Sequence, residues 1–274
     1  YIKVGGLNQP RDDVSSASSR LLRDIKRGNN MSTNLLQATC DQFLGGQVKA
    51  YQPEKGFRSG SDAVLLAAAV KAQNGEKCLE FGCGVGVASL CLAKRLAGEN
   101  ISPAITGIDI QSKLIDLAQK NADMNGMTPK PEFFLQDITA KFSDWIHIQP
   151  SGFHHVFANP PYFEKDKSFA PPDKSKALAH VSDQTDLDIW IKRAATCLTG
   201  GGQLTLIYRS DALNRLLSAL SPNFGGIDIL PISAAPDEPA SRVIIRATRD
   251  SKGKLSLLPP LVTHKNNHFT EELE

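Results

Sequence analysis

The chain has 274 residues, 41% hydrophobic and 22% charged, with a formal net charge of +2. That length suits one large α/β domain, or a domain with a small appendage, and the apolar share supplies a sizeable core. The small net charge excludes a strong global field toward nucleic acid or membrane, though not a local basic patch. Cys40, Cys78, Cys83, Cys91 and Cys197 show neither CxxC spacing nor a Cys/His ligand set. They read as free buried thiols in a reducing compartment, and no metal is expected. No apolar run reaches about 18 residues and no signal-peptide pattern stands out, so a soluble, cytoplasmic protein is expected.

Residues 1–30 differ from the rest. The stretch Asp12 to Ser19 is polar, and only Leu21, Leu22 and Ile25 hint at a helical turn. This segment holds six Lys/Arg and three Asp, so the remainder is near neutral. Met31 reads as an ordinary start, which makes the first thirty residues upstream sequence or an expression artefact. The rival reading is a flexible basic arm that touches RNA. The organisation expected is therefore a partly disordered extension over 1–43 and one catalytic domain over 44–274.

From residue 62 helices and strands alternate. Helices are expected over 63–71, 87–96, 112–125, 187–198 and 211–220. Strands are expected over 77–81, 104–109, 132–135, 154–158, 203–208, 227–231 and 242–248. Strand–helix alternation with short connections predicts a doubly wound, mostly parallel sheet. The last two strands have no helix between them and are expected to pair antiparallel.

Glu80-Phe81-Gly82-Cys83-Gly84-Val85-Gly86 follows the first of these strands and opens a helix. The glycines allow a tight turn and close backbone approach to a ligand. A dinucleotide loop is G-x-G-x-x-G. Here the spacing is G-x-G-x-G, and Val87 stands where the third dinucleotide glycine belongs. Asp109 ends the next strand, 23 residues after Gly86, where a carboxylate can accept both hydroxyls of a ribose. Asp137 ends the third strand. The bland readings are a packing turn, a helix N-terminal acid and an N-cap.

Val156-Phe157-Ala158 runs into Asn159-Pro160-Pro161-Tyr162-Phe163. The prolines fix the backbone. The Asn159 side-chain oxygen and the Pro160 carbonyl can then accept two hydrogen bonds from one amino group and aim its lone pair for in-line attack. Tyr162 would stack on a planar substrate.

The glycine loop with its preceding acid resembles the S-adenosylmethionine loop of Rossmann-like methyltransferases. With the tetrapeptide, the chain resembles the NPPY amino methyltransferases of the small methyltransferase domain group. Within that group it is similar to the tRNA1(Val) adenine-37 N6-methyltransferase family over roughly residues 44–274. The stretch Tyr51 to Ala69 and the tail from Leu257 to Leu273 add to the likeness. The resemblance implies a class I methyltransferase fold with seven strands, mostly parallel, the last antiparallel. It implies S-adenosyl-L-methionine as cofactor, held by Arg58, Ser59, Asp62, Glu80, Gly82, Gly84, Gly86, Asp109, Ile110, Asp137, Ile138 and Asn159. Catalysis falls to Asn159, Pro160 and Tyr162. Substrate contacts fall to Pro161, Tyr162, Phe163, Lys165 and Lys167, the last two in a lysine-bearing loop over 164–182 that reads as an RNA lid. The expected reaction is N6 methylation of adenine in RNA, with tRNA as partner. The alternatives are a protein glutamine methyltransferase, a DNA adenine methyltransferase, and a non-catalytic RNA-binding protein with the same fold.

Overall fold

The computed structural model describes residues 38–161, 185–265 and 268–269. The proposed arm and start at Met31 lie outside these residues. So do Tyr162, Phe163, Lys165, Lys167 and the rest of the lysine-bearing loop.

The described chain opens with a hairpin, β1 (Ala38–Phe43) and β2 (Val48–Pro53), paired antiparallel. A boundary between residues 43 and 44 therefore falls inside one hairpin. Helix α1 (Ser61–Ala69) follows, then β3 (Lys77–Phe81), α2 (Val87–Gly98), β4 (Ala104–Asp109), α3 (Ser112–Asn125) and β5 (Glu132–Leu135). Strand β6 (Phe153–Ala158), α4 (Thr185–Cys197), β7 (Leu198–Arg209), α5 (Leu213–Leu220), β8 (Phe224–Ser233) and β9 (Arg242–Arg249) complete the alternating part.

These strands lie in the order β5-β4-β3-β6-β7-β9-β8. β3 through β7 are parallel, and β9 runs antiparallel to both its neighbours. This is the seven-stranded arrangement expected. Two short strands, β10 (Ser256–Leu257) and β11 (Leu261–Val262), extend it by pairing with β8. Pro259 and Pro260 separate them because proline cannot donate to a ladder. The pair covers an edge that would otherwise expose unpaired backbone groups. A last hairpin joins β12 (His264–Lys265) to β13 (His268–Phe269).

Both faces of the sheet are buried, as parallel sheets require. Cys78 and Phe157 pack with α1, α2 and α3 on one face. Their neighbours Leu79, Val156 and Ala158 pack with α4 and α5 on the other. The near-continuous apolar runs of the central strands follow from this. β7 begins at Leu198, earlier than expected, and runs through the three glycines with a register shift opposite Phe153 and His155. The segment after Arg209 starts as a 3-10 turn over Ser210–Ala212 before α5 proper. Four cysteines are buried and free, but Cys40 is exposed on β1. No helix among the described residues is long and apolar enough to cross a membrane.

One buried amide docks the hairpin. Asn121 on α3 is fully buried. Its Oδ1 accepts from Tyr51 N at 2.8 Å, and its Nδ2 donates to Tyr51 O at 3.1 Å and Val85 O at 3.0 Å. One turn later, Asn125 makes the same pair of bonds to Lys49 N and O. The two side chains act as a surrogate strand along β2. Asn121→Ala strands three backbone groups, each costing about 1–3 kcal/mol where it stays dry. The expected loss is about 3 kcal/mol, or roughly 10 °C in melting temperature, read by calorimetry.

Candidate active site

The chain order reverses between β3 and β6. From β3 the sheet grows through β4 to β5, and from β6 it grows through β7. In open α/β sheets, ligands bind at such a switch point, beyond the carboxyl ends of the strands. Phe81 pairs with Ala158 in register at those ends. The next residue on one strand is Gly82, and the next on the other is Asn159. The glycine loop and the tetrapeptide, 77 positions apart in sequence, thus emerge side by side. Asn159 and Pro161 are half-buried, and Pro160 is buried.

The loop is tightly held. Gly82 and Gly86 have φ of +64° and +84°, a region that penalises side chains. A Cβ on Gly82 would also lie 2.7 Å from Trp190 Cη2, and one on Gly86 would lie 2.7 Å from Phe133 Cζ. Asp109 reaches across from β4. Its Oδ2 accepts from Gly84 N at 2.9 Å and its Oδ1 from Gln111 N at 2.8 Å. Burial pushes the Asp109 carboxyl above its usual range, against those backbone bonds.

Glu80 turns away from the open rim. It is 4% exposed, and its Oε2 accepts from Ser89 N at 3.0 Å and Ser89 Oγ at 2.5 Å. The carboxyl therefore caps the first turn of α2, where the helix dipole favours negative charge. Burial dominates all the same and pushes its pKa up to about 8, with the Ser89 bonds opposing and Asp109 adding repulsion. An acid raised on folding keeps a proton that the unfolded chain releases. Its contribution to stability is then present below its ordinary range and lost as pH rises toward about 8. Without cofactor, stability is expected to fall between pH 5 and 8, by up to about 1.4 kcal/mol per pH unit. Glu80→Gln should flatten that slope in denaturant titrations at the two pH values; an unchanged slope would assign it elsewhere.

Beside the loop, the ends of β4 and β5 frame a cleft of about 370 Å³ that includes Ile110, Leu135, Asp137, Asp144 and Ile146. Ile110, Leu135 and Ile146 are 51%, 56% and 85% exposed. Ligand pockets run from roughly 300 to 1,000 Å³, mostly apolar with a few placed polar groups. Apolar walls around carboxylates fit a flat heteroaromatic ring carrying an amino group, as in the adenine of S-adenosylmethionine. Asp137 also organises the wall: its Oδ1 accepts from Thr139 N and Thr139 Oγ1, both at 2.7 Å. These bonds give Asp137 the turn-capping role. The Ile138 side chain is buried against the second core rather than exposed in the cleft, and its carbonyl accepts from Arg193 Nε at 3.1 Å.

The profile of the methyltransferase small domain matches residues 55–230. The chain belongs to the methyltransferase small domain family. It is an S-adenosylmethionine-dependent methyltransferase with the Rossmann-like fold of that class. It is 25% identical over 235 residues to a tRNA1(Val) (adenine(37)-N6)-methyltransferase of Bacteroides thetaiotaomicron, covering 84% of this chain and 94% of that one. A like-named enzyme of Glaesserella parasuis is 29% identical over 59% of this chain, and the match spans 63% of that relative, under two thirds of its length. A predicted O-methyltransferase from Agrobacterium tumefaciens superposes with TM-score 0.64 at 25% identity, covering 77% of this chain and 93% of that one. A 16S rRNA N2 methyltransferase from T. thermophilus, solved with AdoMet and guanosine, shares the fold with TM-score 0.52 at 17% identity, over 80% of this chain and 52% of that one.

In this methyltransferase the segment before α1 is occupied with holding itself in place. Arg58 Nη2 donates to Asp41 Oδ2 at 2.5 Å and its Nη1 to Pro53 O at 3.0 Å. Ser59 N donates to Gln52 Oε1 at 2.7 Å. Asp62 pairs with Arg242 at 3.2 Å, and Arg242 stands opposite Arg209 at the carboxyl end of β7. These bonds place the segment on the rim that carries Asn159. Ser89, Asn121, Gln52 and Trp190 have no signature in the sequence, because each acts through an element distant in the chain.

Proposed function

We propose that this methyltransferase modifies an exocyclic amino nitrogen, N6 of adenine in RNA, with tRNA as the substrate class and the cytoplasm as its location. The emergence of Asn159-Pro160-Pro161 at the switch point, beside the glycine loop, carries the reading. The names of the two relatives supply the choice of adenine.

Gly82, Gly84 and Gly86 would line the methionine portion with Arg58, Ser59 and Asp62 near it, Asp109 the ribose, and Ile110, Asp137 and the Ile138 backbone the adenine, with Glu80 supporting the loop from beneath. When bound, S-adenosylmethionine supplies a methyl group on a positively charged sulfur. Asn159 Oδ1 and the Pro160 carbonyl each accept one N–H of the substrate amine. That grip holds the nitrogen in line and draws its lone pair out of conjugation with the ring. The rigid prolines keep both acceptors in place before substrate arrives. No strong base is needed, because the proton becomes acidic only after the methyl has moved. Tyr162 would stack on the base, with Pro161, Phe163, Lys165 and Lys167 meeting the RNA around it. A base in folded RNA must leave its stack to reach such a grip.

The test is transfer of labelled methyl to total RNA and total protein, followed by nucleoside and amino-acid analysis. N6-methyladenosine from the tRNA fraction is expected. Label recovered only in glutamine would move the reading to a protein amide, and label in neither would end it.

A further inference from the structure

Among the described residues, the large hydrophobics left in water include one aromatic, Phe57, at 68% exposure. Ile110, Leu135 and Ile146 belong to the cleft, but Phe57 does not. A single exposed apolar side chain is ordinary by itself. The frame beneath this one is not. Both ends of the loop over 54–58 are clamped from below by the hairpin. Gln52, 1% exposed, accepts from Ser59 N at 2.7 Å and donates to Ser59 O at 3.2 Å. The same amide donates to Asp41 Oδ2 at 2.6 Å, which also receives Arg58 Nη2 at 2.5 Å. Arg58 closes the circuit through Nη1 to Pro53 O at 3.0 Å. Gly56, with φ of +107°, turns the chain just before the ring.

These five bonds tie the loop's ends without burying its largest side chain. The loop's position is set as well. Asp62 joins it through Arg242 to the carboxyl end of β7, the strand beside β6 and its Asn159. Lys55 is exposed on the same loop, and the Arg58 side chain retains 33% exposure. A flat ring exposed on a loop whose ends are fixed, with the exposed Lys55 two residues before it, matches the chemistry of an unpaired nucleobase and an adjoining phosphate. Prior ordering of the loop's ends lowers the entropy cost of docking.

We infer that Phe57 is a stacking platform for an unpaired base of the RNA substrate, outside the amine grip. This rests on the proposed RNA substrate. It supplies a contact that neither the glycine loop nor the tetrapeptide provides. It also gives Gln52, Arg58 and Asp41 a purpose: positioning the platform.

The test uses the full chain and unfractionated tRNA. Loss of one base–aromatic stack corresponds to about a five- to hundredfold change in binding. Phe57→Ala should raise KM for tRNA by about tenfold or more on that scale. Its kcat at saturating tRNA, its S-adenosylhomocysteine affinity and its melting temperature should stay within error of the parent. Phe57→Trp should restore KM. An unchanged KM overturns the platform, and so does a parallel loss of cofactor affinity and melting temperature, which would mark Phe57 as structural. If the parent methylates protein but not tRNA, the RNA reading and the platform fall together. If the parent methylates tRNA and Phe57→Ala matches it, only the platform falls.

Discussion

Asn159→Ala is expected to lower kcat by about a hundred- to a thousandfold while S-adenosylhomocysteine affinity stays within a few-fold of the parent. The asymmetry follows from position. Asn159 leaves β6 one residue after the pair Phe81–Ala158, at the switch point. In the proposed mechanism its oxygen is one of two acceptors that orient the attacking nitrogen. Removing a preorganised hydrogen bond of that kind typically costs about 2.7–4 kcal/mol of barrier. Asn159→Asp discriminates further, because it keeps an acceptor but adds charge. Single-turnover rates with tRNA, alongside calorimetric binding of S-adenosylhomocysteine, provide the measurement. An Ala variant that turns over normally would remove the grip from the mechanism.

Asp109→Ala is expected to act on the cofactor instead, weakening S-adenosylhomocysteine binding by about a hundredfold. Two effects add. The proposed contact loses a charged acceptor for ribose hydroxyls, which makes the stronger class of hydrogen bond. The glycine loop also loses the bond from Gly84 N, 2.9 Å long, that holds it against β4. Asp109→Asn separates the two, since an amide oxygen still accepts one backbone N–H but carries no charge. It should retain most of the melting temperature and only part of the affinity. If Ala and Asn lower stability alike and leave affinity alone, Asp109 is a purely structural residue.

Much of this site was legible because its signals are local. An apolar strand followed by closely spaced glycines must turn sharply, and an apolar strand followed by Asn-Pro-Pro must stop. The strand ends at Phe81, Asp109 and Ala158 were readable for that reason, and a parallel sheet sends such ends to one rim. Glu80 shows where this reasoning stops. Its place before the glycines suggested an acid near the ligand. The fold buries it under the first turn of α2, on Ser89, and that burial pushes its pKa up. Ile138 is similar: it follows Asp137 in sequence, yet its side chain joins the core.

The clamp on the loop before α1 was not legible at all. Gln52 and Asp41 are ordinary polar residues in the sequence, and Arg58 was expected at the cofactor rather than in a clamp. Only the pairing of β1 with β2 brings them under one loop, and Asn121 and Asn125 help hold that hairpin to α3. The small strands β10 and β11 escaped for a different reason. Each is two residues long, too short to show a period.

By itself, then, the sequence determined the alternation of elements, the antiparallel close of the sheet and the residue types at its strand ends. These depend on hydrophobic period and on the backbone limits of glycine and proline, which act within a few residues. Tertiary structure alone decided that Gly82 and Asn159 are neighbours, that Glu80 is buried with its pKa pushed up, and that Phe57 stands in water on a fixed frame. Those outcomes depend on desolvation and on hydrogen bonds between residues far apart in the chain, which no local pattern encodes.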